Sequence, residues 1–255
     1  MTTAPAATAL GGIVSGAFGT APVTVRLSPP RTGPADVAHA RARLASIADA
    51  DVAELDLMCP PPTAAFSSRD ALLPGYARAR ADLEAHGFAP MVRPVGGHLA
   101  VYDQGALVVH LAAPHPVARD HIRERFEIFG AVLADTLRAF GVDARVGPVP
   151  GEYCDGAYSV NDAGRAKIVG TGQRITRAGY LLSAVVSVLK PSRVRAALEV
   201  GYADLGLDLR PETVGCVADS TPGVTVEEVR NELVATLART LPIAAPQTPS
   251  LPAAV

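Results

Sequence analysis

The amino-acid sequence predicts an α+β fold whose sheet is mixed and largely antiparallel, and three observations carry that prediction. β-prone runs arrive in adjacent pairs between helical stretches, which disfavours a doubly wound parallel sheet. Residues 116–140 repeat large apolar side chains every three or four positions (Ile122, Phe126, Phe129, Leu133, Leu137, Phe140), so one long helix buries a face along its length. A polar turn, Asn161–Arg165, separates the run Ala157–Val160 from a second run that opens on Lys167 and reaches Gly170, the pattern of a β-hairpin.

The other elements follow in order. Residues 1–27 read as a flexible extension with one candidate strand, Val23–Leu27, and residues 28–242 as a single domain. Pro29-Pro30 and Gly33-Pro34 break the chain before a helix at about 36–49, where Ala38, Ala42, Ala45 and Ala48 offer a small-residue face for packing. A stiff connector, Cys59-Pro60-Pro61-Pro62, precedes a short strand at Ala64–Ser67 of the kind a sheet edge tolerates. A helix from about Pro74 to His86 has proline suited to its first turn and Gly87 as its stop.

Phe88–Arg93, Leu99–Tyr102 and Ala106–Leu111 read as strands, the last two joined by the turn Asp103-Gln104-Gly105. Beyond the hairpin, Gln173–Ala178 and Tyr180–Leu189 form another strand pair. Helices at about 192–205 and 225–240 close the domain, the second opening on the capping box Thr225-Val226-Glu227-Glu228. The Ala/Pro-rich end, 243–255, reads as a disordered tail.

Composition removes several functions. The chain has 255 residues, enough for one sizeable core, and a net charge of −2, which leaves no nucleic-acid footprint and no electrostatic membrane anchor. Residues 4–25 lack the positive start of a signal peptide, and no stretch supplies the roughly 18 uninterrupted apolar residues of a membrane span. Three cysteines without CxxC or Cys/His zinc spacing argue against a disulfide framework or structural zinc, and suit a reducing cytoplasm. His110, His115 and His121 have no helix-face spacing, so no metal site is expected. Cys59 and Cys216 lack a basic neighbour and read as inert buried thiols.

The chemistry concentrates in Gly151–Arg174, GEYCDGAYSVNDAGRAKIVGTGQR. Cys154 follows a Pro150-Gly151 turn, and the hairpin brings it toward Lys167. An ammonium beside a thiol stabilises the thiolate, the nucleophilic form. Of 23 basic residues only Lys167 and Lys190 are lysines, so a lysine here is expected to do what a guanidinium cannot. Replacing Lys167 by arginine is expected to fail while the fold is retained.

The segments GEYC, AYSVN and KIVGTGQR resemble the family that attaches lipoyl or octanoyl groups to proteins, which contains lipoate-protein ligases and octanoyl- and lipoyl-transferases and is related to the biotin protein ligases. The resemblance extends over roughly 60–240. It implies a central mixed sheet flanked by helices, and it equates Lys167-Ile168-Val169-Gly170 with the family's Lys-x-x-Gly. A cysteine in the loop before that lysine resembles the branch that forms an acyl-cysteine intermediate.

A second stretch, Arg93–Gly105 (RPVGGHLAVYDQG), resembles the ligase pattern of an arginine, two residues, three glycines, an apolar triplet and His-Asp-x-Gly. Gly96, Gly97, Asp103 and Gly105 match, with Ala100 and Val101 as apolar filling. His98 stands for the third glycine and Tyr102 for the histidine. A side chain at His98 is expected to obstruct nucleotide phosphates, which favours acyl transfer over ATP-dependent activation. The resemblance implies that Arg93, Gly96, Gly97, His98, Ala100, Tyr102, Asp103, Gly170, Thr171 and Gln173 line the substrate site, with Cys154 and Lys167 catalytic.

The expected reaction takes an octanoyl or lipoyl group from a carrier protein through a thioester on Cys154 to a lysine of a lipoyl-domain protein. It needs no tightly bound cofactor. The alternative is an ATP- and Mg-dependent lipoate-protein ligase working through lipoyl-AMP. A third reading is a catalytically silent module that binds an acylated partner. Turnover without ATP, turnover only with ATP, and no turnover separate the three.

Overall fold

The computed structural model describes residues 14–242, so the expectations for 1–13 and for the tail 243–255 lie outside the described residues. The strands are β1 (Val23–Leu27), β2 (Ala53–Met58), β3 (Thr63–Phe66), β4 (Ala89–Val92), β5 (Ala100–Tyr102), β6 (Ala106–Pro114), β7 (Ala144–Val146), β8 (Val160–Asp162), β9 (Ala166–Ile175) and β10 (Gly179–Ser187). The helices are α1 (Gly33–Ala45), α2 (Tyr76–Ala85), α3 (Ile122–Arg138), α4 (Ser192–Leu205) and α5 (Val226–Ala238).

A seven-stranded sheet runs in the order β1-β2-β6-β10-β9-β8-β7, and a three-stranded sheet in the order β4-β3-β5. β1–β2 and β3–β4 pair parallel and the other pairs antiparallel, so the fold is α+β with a mixed, largely antiparallel sheet. The capping box of α5 forms as expected: Thr225 Oγ1 accepts from Glu228 N, and Glu228 accepts from Thr225 N.

α3 and α5 cover one face of the large sheet. Phe129, Leu133 and Leu137 join Val229, Leu233 and Leu237 in the main core, each burial stabilising by roughly 1.5–3 kcal/mol. α2 and α4 pack on the small sheet through Ala79, Leu83, Val194, Leu198 and Tyr202. Val37 of α1 meets Met58, Ala65, Met91, Tyr102 and Val108 between the two sheets. The functional cleft opens beside this last cluster.

Six expectations are corrected. β3 lies in the middle of the small sheet, not at an edge, because it pairs with both β4 and β5. The hairpin strands are Val160–Asp162 and Ala166–Ile175, so Asn161 and Asp162 belong to a strand and Gln173–Ile175 continue β9 instead of opening a separate pair. Residues 14–27 are part of the domain: Val14, Ala17 and Phe18 lie in the main core, and β1 pairs with β2. The fully buried Arg125 of α3 fastens this segment by donating to the carbonyls of Ala17 and Ala118. Burial lowers the pKa of that guanidinium, which lies over the Tyr180 ring. α1 buries Gly33, Asp36, Val37 and Ala40, not the alanine face, because Asp36 is satisfied by ion pairs that an apolar count overlooks.

The turn at Asp103–Gly105 does not close a hairpin. β5 pairs with β3 and β6 with β2 and β10, so the turn carries the chain from one sheet to the other. The long helix starts at Ile122, behind a short 3-10 turn at Ala118–His121.

Candidate active site

Cys154 sits between β7 and β8 in the left-handed backbone region, at φ 44°. For a non-glycine residue that conformation costs on the order of 1–3 kcal/mol unless its surroundings impose it. Here they do. Cys154 N donates to Tyr202 Oη at 2.5 Å, and that hydroxyl donates to Leu99 O at 3.0 Å. The carbonyl of Cys154 accepts from Lys167 Nζ at 2.7 Å, and the carbonyl of Tyr153 accepts from the same atom at 3.0 Å.

The groups at the sulfur differ from those expected. Cys154 Sγ accepts from the backbone N–H of His98 at 3.2 Å and from Arg93 Nη2 at 3.4 Å. Arg93 is itself held on the carbonyls of Gly96 and His98, at 3.1 and 2.5 Å. The cation in hydrogen-bond contact with the thiol is therefore Arg93, while Lys167 grips the loop that presents it.

Gly97 makes this approach possible. Its φ is +102°, and a Cβ placed there would lie 2.5 Å from Cys154 Sγ and 2.9 Å from Arg93 Nη2. Gly97→Ala is expected to displace the sulfur, slow alkylation of Cys154 by iodoacetamide at neutral pH, and cost about 1–3 kcal/mol in thermal unfolding. Alkylation at the parent rate would show that the sulfur does not depend on this glycine.

Lys167 is 1% exposed and faces Glu152, whose carboxylate is fully buried, at 3.4 Å. Glu152 Oε1 also accepts from Ser159 Oγ at 2.6 Å and Gly156 N at 3.2 Å, and Oε2 from Val149 N at 3.1 Å. Burial pushes the Lys167 ammonium below its ordinary pKa; the charges of Cys154 and Glu152 act in the opposite direction. Neither Glu152 nor Tyr202 was singled out from the sequence. Glu152 stood within the quoted GEYC segment, but nothing local distinguished a buried partner of Lys167 from a solvated acid.

Most of the expected site residues come together. Arg93, Gly96, Ala100, Tyr102, Cys154, Lys167, Gly170 and Thr171 line one cleft of about 740 Å³. Gly97 and Gln173 line a second hollow of about 560 Å³, to which Cys154, Gly96 and Thr171 also contribute. The sulfur-bearing residue thus stands where the two meet. Gln173 Oε1 is fixed by Arg125 Nε at 2.6 Å.

Two expected residues play other parts. Asp103 caps its own turn, accepting from Gly105 N at 2.9 Å, and lines neither cavity. His98 contributes its backbone N–H, while its imidazole Nδ1 sits 2.7 Å from Oδ1 of the buried Asp70. Cys59 and Cys216 are free, and burial with Asp219 nearby pushes the Cys216 thiol up to about 11. Among the described residues no helix is long and apolar enough to cross a membrane.

Residues 76–238 match the family described as the lipoyl protein ligase A/B catalytic domain. The chain is 34% identical over 139 residues to an Octanoyl-[GcvH]:protein N-octanoyltransferase of Exiguobacterium sibiricum, covering 53% of this chain and 49% of that protein. It is 26% identical over 168 residues to the protein of the same name from Bacillus velezensis, covering 61% and 58%. The chain thus spans about half the length of the curated relatives it matches.

Among solved structures, lipoate-protein ligase A bound with ATP superposes with a TM-score of 0.64 at 19% identity, covering 87% of this chain and 85% of that one. The bi-partite lipoate protein ligase of Thermoplasma acidophilum gives a TM-score of 0.60 at 19% identity, covering 88% and 85%. These two likenesses concern the fold. With more than half of its length matched by the family and its motif residues gathered at one cleft, the chain belongs to the lipoyl protein ligase A/B catalytic domain family.

Proposed function

We propose that this protein transfers an octanoyl or lipoyl group from a carrier protein to a lysine of a lipoyl-domain protein, through a thioester on Cys154. The observation that carries the reading is the placement of Cys154 at the junction of a mostly apolar cleft and a second hollow, its sulfur held by an N–H and a guanidinium. The name shared by the curated relatives, which pairs octanoyl-GcvH with a protein acceptor, supports the same class of reaction.

In the first half-reaction the Cys154 thiolate attacks the acyl carbonyl of the donor. The tetrahedral oxyanion forms beside two cations, Arg93 and Lys167, in a largely desolvated site where fixed charge acts strongly. The donor leaves with a proton taken from the Lys167 ammonium, and the acyl group remains on sulfur. Acylation then removes the thiolate charge, one of the influences that raise the Lys167 pKa. The neutral Lys167 left by the first half-reaction accepts a proton from the incoming acceptor amine. The amine attacks the thioester, the amide forms, and Cys154 leaves as thiolate.

Incubation with an octanoylated carrier protein, with and without ATP, tests this by intact mass. One added octanoyl group independent of ATP is expected. Acylation that requires free acid and ATP would place the protein among the ligases, and no acylation in either arm would leave it a binding module. In the same vein, calorimetry with ATP and Mg²⁺ is expected to give no saturable heat at millimolar nucleotide, because an imidazole fixed on Asp70 stands where the ligase pattern has its third glycine. Micromolar binding would overturn that expectation.

A further inference from the structure

The cleft that begins at Cys154 also reaches three polar side chains that the transfer chemistry leaves unused: Asp36 of α1, His110 of β6 and Ser183 of β10. They form one hydrogen-bonded chain. His110 Nδ1 lies 2.8 Å from Ser183 Oγ, and Nε2 lies 3.0 Å from Asp36 Oδ2. Asp36 Oδ1 accepts from Arg31 Nη2 at 2.9 Å, and Arg31 also pairs with Asp56. A carboxylate so paired requires a proton on His110 Nε2, which in the neutral ring leaves Nδ1 as acceptor for the serine hydroxyl. The serine's lone pairs are then left over for whatever fills the cleft.

Much of the wall that they share with Cys154 is apolar, including Val37, Ala100, Val101, Val108, Ala184 and Val185. β9, which carries Lys167 and Gly170, is separated from β6, which carries His110, by β10 alone. Ser183 stands opposite His110 of β6 and Gly172 of β9, so the polar group flanks the Gly170–Gly172 part of the cleft wall. Cys154, Ser183 and His110 line this one cleft, so an acyl group held by its carbonyl at Cys154 runs along these walls toward Ser183 and His110.

The arrangement of serine, histidine and aspartate is not a second hydrolytic centre. Ser183 lies in mid-strand, laddered to His110 on one side and to Gly172 on the other, so the backbone N–H groups around it are committed to the sheet and none is free to hold an oxyanion.

We propose that Ser183, His110 and Asp36 form a polar end-wall that selects the acyl chain by its length and by the chemistry of its tip. The proposal rests on the reading of this cleft as the acyl site. An alkyl chain longer than octanoyl must press hydrocarbon against the serine oxygen or break the hydrogen-bonded chain. Leaving such a buried group unsatisfied is worth about tenfold in binding or more. A chain of the same length tipped with a hydroxyl donates to Ser183 and escapes the penalty. A purely steric wall would reject both alike.

The test compares octanoyl, decanoyl and terminally hydroxylated octanoyl groups on the same carrier protein, with the parent and with Ser183→Ala. The parent is expected to use decanoyl at least about tenfold less well than octanoyl and to accept the hydroxylated chain. In Ser183→Ala the decanoyl penalty shrinks and the preference for the hydroxyl disappears. Unchanged ratios in Ser183→Ala, or equal rejection of decanoyl and hydroxylated octanoyl by the parent, would overturn the end-wall. Calorimetry with the corresponding free acids makes the same comparison without turnover. Loss of transfer with these binding ratios preserved would count against the transferase reading alone, and failure of every chain to bind would overturn the end-wall itself.

Discussion

Cys154→Ser is expected to gain no hydroxylamine-labile acyl group under conditions in which the parent gains one, and to lose transfer by about three orders of magnitude or more. The serine oxygen would occupy the same left-handed position beside His98 N and Arg93. It would remain a protonated alcohol, since an aliphatic hydroxyl is far too weak an acid to ionise beside one guanidinium and one N–H. Peptide mapping of the parent should place the acyl group on Cys154. Cys216 is buried and its thiol is pushed up to about 11, so it holds its proton under working conditions. Acylation found at Cys59 or Cys216, or a serine variant with parent activity, would remove the acyl-cysteine step.

The second large effect concerns Lys167, where the structure changes the expectation drawn from the sequence. Lys167→Arg and Lys167→Ala are both expected to lose roughly 10²–10⁴ in transfer rate. The sequence alone suggested that the fold would be untouched. Lys167 is in fact one of the largest fully buried side chains, and Glu152, Tyr153 O and Cys154 O are its three acceptors. Alanine would leave the Glu152 carboxylate buried without its cation, a change worth about 3–5 kcal/mol. Arginine brings a larger planar group into a closed space.

Both variants should therefore melt below the parent. Lys167→Met combined with Glu152→Gln removes both charges together and should recover much of the stability while transfer stays lost. A double variant that regains both would show that Lys167 serves only as a counter-ion. An arginine variant within a few-fold of the parent in rate, and equal to it in melting temperature, would remove both roles.

The sequence by itself determined the α+β class, the long buried helix, the capping box of α5 and the residues of the two motif stretches. These are matters of local pattern: apolar side chains at helical period, β-prone runs beside turn residues, a threonine three positions before a glutamate. It also brought Cys154 and Lys167 to the same part of the molecule, because a hairpin is a local object. The partners across the fold were beyond it. Arg93 lies 61 positions from Cys154 and Tyr202 lies 48, and both reach the cysteine loop only because the small sheet and α4 pack there.

The same holds for Asp36, His110 and Ser183, which stand 73 and 74 positions apart and look like unrelated polar residues along the chain. Asp36 even misled the reading of α1, since a paired carboxylate can be buried where an unpaired one cannot. Only the tertiary structure decided that the thiol is served by a guanidinium and a backbone N–H while the lysine holds the loop. Which charge neutralises which depends on distances of a few ångströms between segments remote in sequence, and those distances are set by how the sheets and helices pack.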